Sequence, residues 1–384
     1  MVWYGRSTGM SANDDTPPWA RRRLGEVLGG RFELQAVVGH GAVGAVFCAA
    51  DLREGGAAAV KVLRPGFARS ERLARRFARE VRLLERLRHR AIPALLAWGE
   101  DGSGVPYFAS EYVDGETLRD AVARRGSLPR DEALRVGAGV AEALDAVHRC
   151  GAIHRDVKPS NVMLPRSSAA PGEVRLVDFG VARCADEDLV TGSWEELGTP
   201  AYMAPEQRAG SPEPVSPATD LHALGWTLLE LLVDAGRARE LRATPPHVWP
   251  VGPDDALRYV ASLVAPSPIA RPSPARLVAR TLRSLAGDVP TAGRSLDVDV
   301  GVFMASGASD EARSRARGLT ARLRRHTIDQ ARFDGRLVEA DDPRVAEAER
   351  RIRERANAEQ DRLLAALDEA LGEASEAAAA RPSL

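Results

Sequence analysis

Residues 31–63 alternate apolar and polar positions around glycines. "RFELQAVVG" and "AVFCAAD" have the two-residue period of strands, and "AAAVKVL" is a short apolar run with one charge inside it. The period then changes. Between residues 69 and 88, Leu73, Phe77, Val81, Leu84 and Leu87 recur at three or four, which predicts a helix. "VPYFASEYV" returns to a strand pattern. After Leu128-Pro129-Arg130 the chain reads as helical to Cys150, with Ala133, Leu134, Val140, Leu144 and Val147 on the apolar side. "NVML" and "EVRLVDF" predict short strands around a Ser/Ala/Pro/Gly insert at 165–172. From Pro217 to about Gly287 the pattern is helical and punctuated by prolines. A strand-rich part followed by a helix-rich part predicts an α+β fold with two lobes.

The two ends read differently. Residues 1–29 are polar, carry Pro17-Pro18 and are expected to be disordered, with Met10 as an alternative start. Residues 288–294 look like a linker, and 295–384 predict a mainly helical extension. In it, "LDVDVGVFMAS" reads as one strand. Asp342-Pro343 is a good helix start, with Asp as cap and Pro at the first helical position. A stripe of Val345, Ala348, Ile352, Leu363, Leu364, Leu367 and Leu371 follows, broken at Glu359-Gln360, which argues against a sustained coiled coil. The stripe has two readings: a surface helix capping its own domain, or a face for self-association or a partner.

Net charge is −1, so there is no bulk attraction to nucleic acid or an anionic membrane. No apolar run reaches the ~18 residues a membrane span needs. The longest candidate, residues 221–233, is interrupted by His222 and Glu230 and reads as a buried core helix. The N-terminus lacks the apolar core of a signal peptide. Cys48, Cys150 and Cys184 are scattered without a CxxC, which predicts reduced thiols, a cytoplasmic protein and no structural zinc.

Composition matters most for lysine. The chain has 53 Lys plus Arg, of which only Lys61 and Lys158 are lysine. Heavy Arg and Ala usage reflects a GC-rich genome, so a retained lysine asks for a reason. Lys61 sits in a strand between Val60 and Val62; an edge-strand Lys that snorkels out is the bland reading. Glu80 lies on the apolar face of the following helix with Phe77 and Leu84. Each needs a partner, and each supplies the other's if helix packs on strand. Upstream, "GHGAVGAV" holds Gly39-x-Gly41-x-x-Gly44-x-Val46. Alone this is weak evidence, since a tight hairpin has the same glycines. Strand on both sides, with no helix following, argues against a dinucleotide fold and suits a flap whose bare backbone can approach phosphates.

Together with "HRDVKPSN", "DFG" and "APE", these residues resemble the eukaryotic-type protein kinases, most closely the bacterial serine/threonine kinases, over about residues 30–287. The resemblance implies ATP and Mg²⁺ as cofactors and proteins as substrates. It implies a nucleotide site from Gly39, His40, Gly41, Ala42, Val43, Gly44, Val46 and Ala59, with a hinge from Glu111 to Val113 behind a small Ser110. Lys61 would hold the α- and β-phosphates and pair with Glu80. Asp156 would orient the substrate hydroxyl and take its proton, beside Lys158. Asn161 and Asp178 would be the metal ligands. Glu206 would pair with Arg271, and Asp220 would brace the catalytic-loop backbone. Lys158 and Thr199 of "GTPAYMAPE" imply Ser/Thr specificity and, with the APE, argue against a small-molecule kinase.

The physics agrees with the resemblance. Phosphoryl transfer needs positioning and positive charge, and Mg²⁺ takes carboxylate and amide oxygens. Asn is scarce, at Asn13, Asn161 and Asn357 only. Lys is a compact point charge where Arg presents a planar fork, so drift to Arg is blocked where an ammonium must reach between phosphate oxygens. "HRDVK" has Val157 where Leu is common. The loop after Val233 is shortened, in a region where kinases commonly dock substrates and partners. Arg155 is of the kind that awaits a phosphate from the activation segment, where Thr191 and Ser193 are the candidate autophosphorylation sites. The nearby Asp186, Glu187, Asp188, Glu195 and Glu196 could instead supply the charge themselves. The alternative to an active kinase is a nucleotide-binding scaffold acting through its C-terminal extension.

Overall fold

The computed structural model describes residues 2–3, 16–41, 43–67, 70–167, 172–179, 200–208, 210–211, 213–250, 254–288, 294–297, 302–305, 310–334 and 343–379. Ala42, Asp186–Asp188, Thr191, Ser193, Glu195, Glu196, Thr199 and Asp342 lie outside them, as do Cys184 and Met10.

The chain opens with β1 (Val2–Trp3), α1 (Pro18–Arg21) and β2 (Val27–Leu28), then β3 (Phe32–His40), β4 (Gly44–Asp51) and β5 (Ala57–Leu63). After α2 (Glu71–Arg86) come β6 (Leu95–Glu100) and β7 (Pro106–Glu111). These strands form one antiparallel sheet in the order β1-β3-β4-β5-β7-β6, with β2 also on β3. The alternation seen in the sequence puts Leu34, Ala45, Phe47, Val60 and Val62 into the core. Helix α2 buries Phe77, Glu80, Val81 and Leu84 on the sheet, and Phe77 meets Phe108 of β7 at 5.3 Å between rings.

Then follow β8 (Gly115–Thr117), α3 (Leu118–Arg125), α4 (Arg130–Arg149), β9 (Val162–Pro165) and β10 (Arg175–Leu176). β8, β9 and β10 make a small antiparallel sheet between α4 and the cleft. Thr117 caps α3 by accepting from the Asp120 amide. The helices α5 (Pro217–Leu232), α6 (Ala235–Arg242), α7 (Asp255–Leu263) and α8 (Ala275–Leu285) complete this lobe. α5 is buried nearly all round, as its largely apolar sequence requires, and α4, α5, α7 and α8 share one core. No described helix is long and apolar enough to cross a membrane.

Three expectations are corrected. Residues 1–29 are not uniformly disordered: α1 and β2 are formed, and Arg23 is buried against Glu26 and Asp101, which fixes this segment to the sheet. The strand read into "LDVDVGVFMAS" is two, β11 (Arg294–Asp297) and β12 (Val302–Ala305). Their antiparallel register runs from Arg294↔Ala305 to Asp297↔Val302, so the chain must reverse where the local alternation looked continuous. Arg294, assigned to the linker, begins β11.

The extension ends in α9 (Asp310–Asp334) and α10 (Pro343–Ala379). They run antiparallel: Arg315 reaches Glu369, Arg322 reaches Glu359, and His326 Nε2 lies 2.9 Å from the Ala356 carbonyl. Leu363, Leu364 and Leu367 are buried with Ala316, Leu323 and, on α8, Leu277. That part of the stripe is therefore covered within the chain, whereas Ile352 stays exposed. Gln360, where the stripe breaks, is itself buried.

Candidate active site

β3 and β4 form a hairpin with Gly39 opposite Val46 and His40 opposite Ala45, closed by Gly41 N donating to the Gly44 carbonyl at 2.9 Å. Gly44 is required by its neighbour. A Cβ there would lie 2.3 Å from the Val62 carbonyl oxygen, so part of the glycine signature serves close strand approach. Val43 packs on the core, and its carbonyl accepts from Arg64 N.

Lys61 on β5 donates to Glu80 Oε1 at 2.6 Å and Oε2 at 2.8 Å, and to Asp178 Oδ1 at 3.0 Å. Burial alone would push the Lys61 ammonium down; the carboxylates of Asp178 and Glu80 outweigh it and raise it above its ordinary value. Burial pushes the Asp178 carboxyl up, but Lys61 chiefly outweighs it and holds it well below the usual carboxylate range. Val46, Ala59, Lys61, Glu80, Ser110 and Asp178 line one cavity with Leu84, Pro93, Phe108, Val177 and Phe179.

Across the cleft, Lys158 Nζ donates to both Asp156 oxygens, at 2.9 and 2.7 Å. Asn161 Nδ2 donates to the Asp156 carbonyl at 2.8 Å and to its Oδ2 at 3.0 Å. Asn161 Oδ1 is buried with no hydrogen-bond partner among the described residues. An unpaired buried amide oxygen beside a carboxylate is a vacant donor position of the kind a hard cation takes.

The loop carrying Asp156 is held in an uncommon backbone state. Arg155 has φ +67° and Asp178 has φ +64°, in the left-handed region that non-glycine residues seldom adopt. Asp220 at the start of α5 stabilises the first. Its Oδ2 accepts from His154 N at 2.9 Å and from His148 Nε2 at 2.8 Å, and its Oδ1 accepts from Arg155 N at 2.7 Å. Burial pushes Asp220 up, but the His148 bond and these donors outweigh it and lower its carboxyl. His154 and Phe179 pack as tilted rings with centroids 4.9 Å apart, linking the loop to Asp178.

Glu206 and Arg271 are both fully buried as side chains and paired, with Arg271 Nη2 on Glu206 Oε2 at 2.9 Å. Of the predicted site residues, Glu111 turns its side chain back to the Ala94 amide at 3.1 Å. Val113 joins a separate buried cluster of Val38, Val46, Ala59, Met163 and Val177. Val38, Met163 and Val177 were missed from sequence. Strand alternation would have flagged Val38 and Met163, which are buried together with the cavity-lining Val46, Ala59 and Val177.

A family model described as the protein kinase domain matches residues 32–240. A probable serine/threonine-protein kinase of Streptomyces coelicolor is 40% identical over 210 residues, covering 53% of this chain and 30% of that protein. Serine/threonine-protein kinase PknB of Mycobacterium leprae is 34% identical over 331 residues, covering 81% of this chain and 51% of that protein. The chain thus spans 30% and 51% of the length of these two relatives. The crystal structure of the Mycobacterium tuberculosis PknI kinase domain is 30% identical and aligns with TM-score 0.52, covering 68% of this chain and 98% of that one.

Proposed function

The chain belongs to the protein kinase family, and on that premise we propose that it is a serine/threonine protein kinase using Mg-ATP. One observation carries the reading: the chain's two lysines both sit on carboxylates of a single cleft, Lys61 on Glu80 and Asp178, and Lys158 on Asp156. Mg-ATP supplies the phosphoryl group and the divalent charge that neutralises it. Asn161 Oδ1 and the Asp178 carboxylate are the oxygens that would hold the metal. Lys61, kept protonated by its carboxylate neighbours, would take the α- and β-phosphates. The hairpin Gly39, His40, Gly41, Ala42, Val43 and Gly44 would cover the phosphates. Val38, Val46, Ala59, Val113, Met163 and Val177 offer apolar surface to a base, with Glu111 to Val113 as the hinge.

Asp156 does the proton work. Lys158 and Asn161 fix its carboxylate, so it can orient a Ser or Thr hydroxyl and accept its proton. We assign residues 30–287 to the kinase domain and Thr191 and Ser193 to autophosphorylation, in a cytoplasmic setting that suits scattered cysteines with no CxxC.

The test is transfer from γ-labelled ATP to a generic acceptor protein by the full chain and by Asp156→Asn. Labelled phosphoserine or phosphothreonine that disappears with Asp156→Asn supports the kinase. Tight nucleotide binding without transfer by the unaltered chain would instead support a scaffold.

A further inference from the structure

Helix α4 ends at Arg149, immediately before the loop that carries Asp156. Its last carbonyls have no partners within the helix and must find them elsewhere. Two come from the far end of the sequence. Asn357 Nδ2 donates to the Arg149 carbonyl at 3.2 Å, and Arg353 Nη1 donates to the Cys150 carbonyl at 3.0 Å. Asp361 accepts the forked guanidinium of Arg149 at 2.8 and 3.1 Å. Arg353, Asn357 and Asp361 recur at four residues, so they form one row on α10. A donor and a cation at a helix C-terminus satisfy its carbonyls and oppose its dipole.

The fit at Gly151 is close. Its φ is +73°, and a Cβ there would lie 2.4 Å from Arg353 Cζ, so the guanidinium rests directly on the glycine. The Cys150 carbonyl also accepts from Arg86 Nη2 at 3.4 Å; Arg86 is the last residue of α2, the helix that carries Glu80. Inside the lobe, Asp220 holds His148, His154 and Arg155. The segment from His148 to Arg155 is thus held by Asp220 from within and by α10 from without.

We infer that the row Arg353, Asn357, Asp361 makes the C-terminal hairpin a brace for the catalytic loop, with these three as positioning residues for Asp156. The inference rests on the kinase reading. The brace is separable from the hairpin's docking, because Leu363, Leu364 and Leu367 anchor α10 on α8 and α9 through apolar contacts. Asn357 fits this role: it is one of three asparagines in the chain, and another, Asn161, lies in the cleft.

The experiment uses the full chain, the double variant Arg353→Met/Asn357→Leu, the single variant Asp361→Asn, and Arg353→Lys. Steady-state transfer to an acceptor protein is read together with hydrogen exchange of the backbone amides at 150–158. The double variant should lower kcat about tenfold with KM for ATP within about twofold, as expected for a misplaced catalytic group. Exchange at 150–158 should rise about tenfold while exchange in α9 stays the same. Arg353→Lys, which keeps a donor for the Cys150 carbonyl, should restore most of both. Should the double variant not fold, Asp361→Asn must show the same direction in both readouts. Unchanged exchange at 150–158 in a folded variant overturns the brace, as does an unchanged kcat. If the unaltered chain transfers no phosphate, the kinase reading fails, and exchange at 150–158 alone decides for or against the brace.

Discussion

Lys61 and Arg271 are both cations held by buried glutamates, and they are built for opposite ends. Arg271 is fully buried and uses its whole fork: Nε on the Ala265 carbonyl, Nη1 on Glu206 and the Ala218 carbonyl, Nη2 on Glu206 and the Pro266 carbonyl. Thr219 Oγ1 adds a donor to Glu206. This ion pair is saturated and has no capacity left for a ligand. Lys61 instead borders the cavity, divides its contacts between Glu80 and Asp178, and shares the cleft with Asn161 Oδ1, which has no partner among the described residues. Arginine suits the first task because its planar fork matches five fixed acceptors. Lysine suits the second because a point charge on a flexible stem can exchange partners.

The comparison breaks most visibly at Arg271. Arg271→Met strands the Glu206 carboxylate in the core and should cost about 3–5 kcal/mol. Thermal unfolding of the two proteins reads this. A variant that melts with the unaltered chain would show that Glu206 finds another partner and that saturation was not structural.

At Lys61 the expectation reverses. Lys61→Arg should leave the melting temperature nearly unchanged and reduce phosphoryl transfer about a hundredfold or more, the scale of a lost electrostatic clamp. Asp178→Asn, equally buried, should abolish the Mg²⁺ dependence of ATP affinity, because a neutral amide cannot balance a dication. ATP titrations with and without Mg²⁺ decide this. Near-normal turnover by folded Lys61→Arg would remove the physical reason for the chain's two lysines.

What was legible in the sequence follows the range of the interaction. Strands β3, β4, β5 and helices α2 and α4 were legible because alternation and helical spacing are local. Lys61 and Glu80 stood out because charged residues on apolar faces require partners, and Lys158 and Asn161 because their residue types are scarce. Asp156 and Asp178 were legible only through the resemblance to protein kinases. The left-handed backbone at Arg155 and Asp178 carries no residue-type signal, since neither is glycine. The capping of α4 by Asn357 joins residues 208 apart, and nothing near Asn357 says where its amide lands. The hairpin β11–β12 was read as one strand because its alternation continues across the reversal.

The smallest effect is a pH dependence beside the saturated pair. His222 on α5 is buried, with its ring 5.9 Å from Trp226 in an edge contact. Burial first, and then the Arg271 guanidinium, lowers its imidazole to about 3 from the usual 6.5. The unfolded chain therefore binds a proton at His222 below about pH 6.5 that the folded chain refuses until about pH 3. Stability contributed by the neutral ring is complete above that upper value and declines as pH falls through the window. Between pH 7 and pH 5.5 this group should remove about 1 kcal/mol. His89, whose imidazole is also lowered by burial, acts in the same direction, so the diagnostic quantity is a difference. His222→Gln should flatten the fall in melting temperature between pH 7 and 5.5 relative to the unaltered chain. Identical pH profiles for the two proteins would mean that His222 protonates in place, and that the positive field of Arg271 is spent wholly on Glu206.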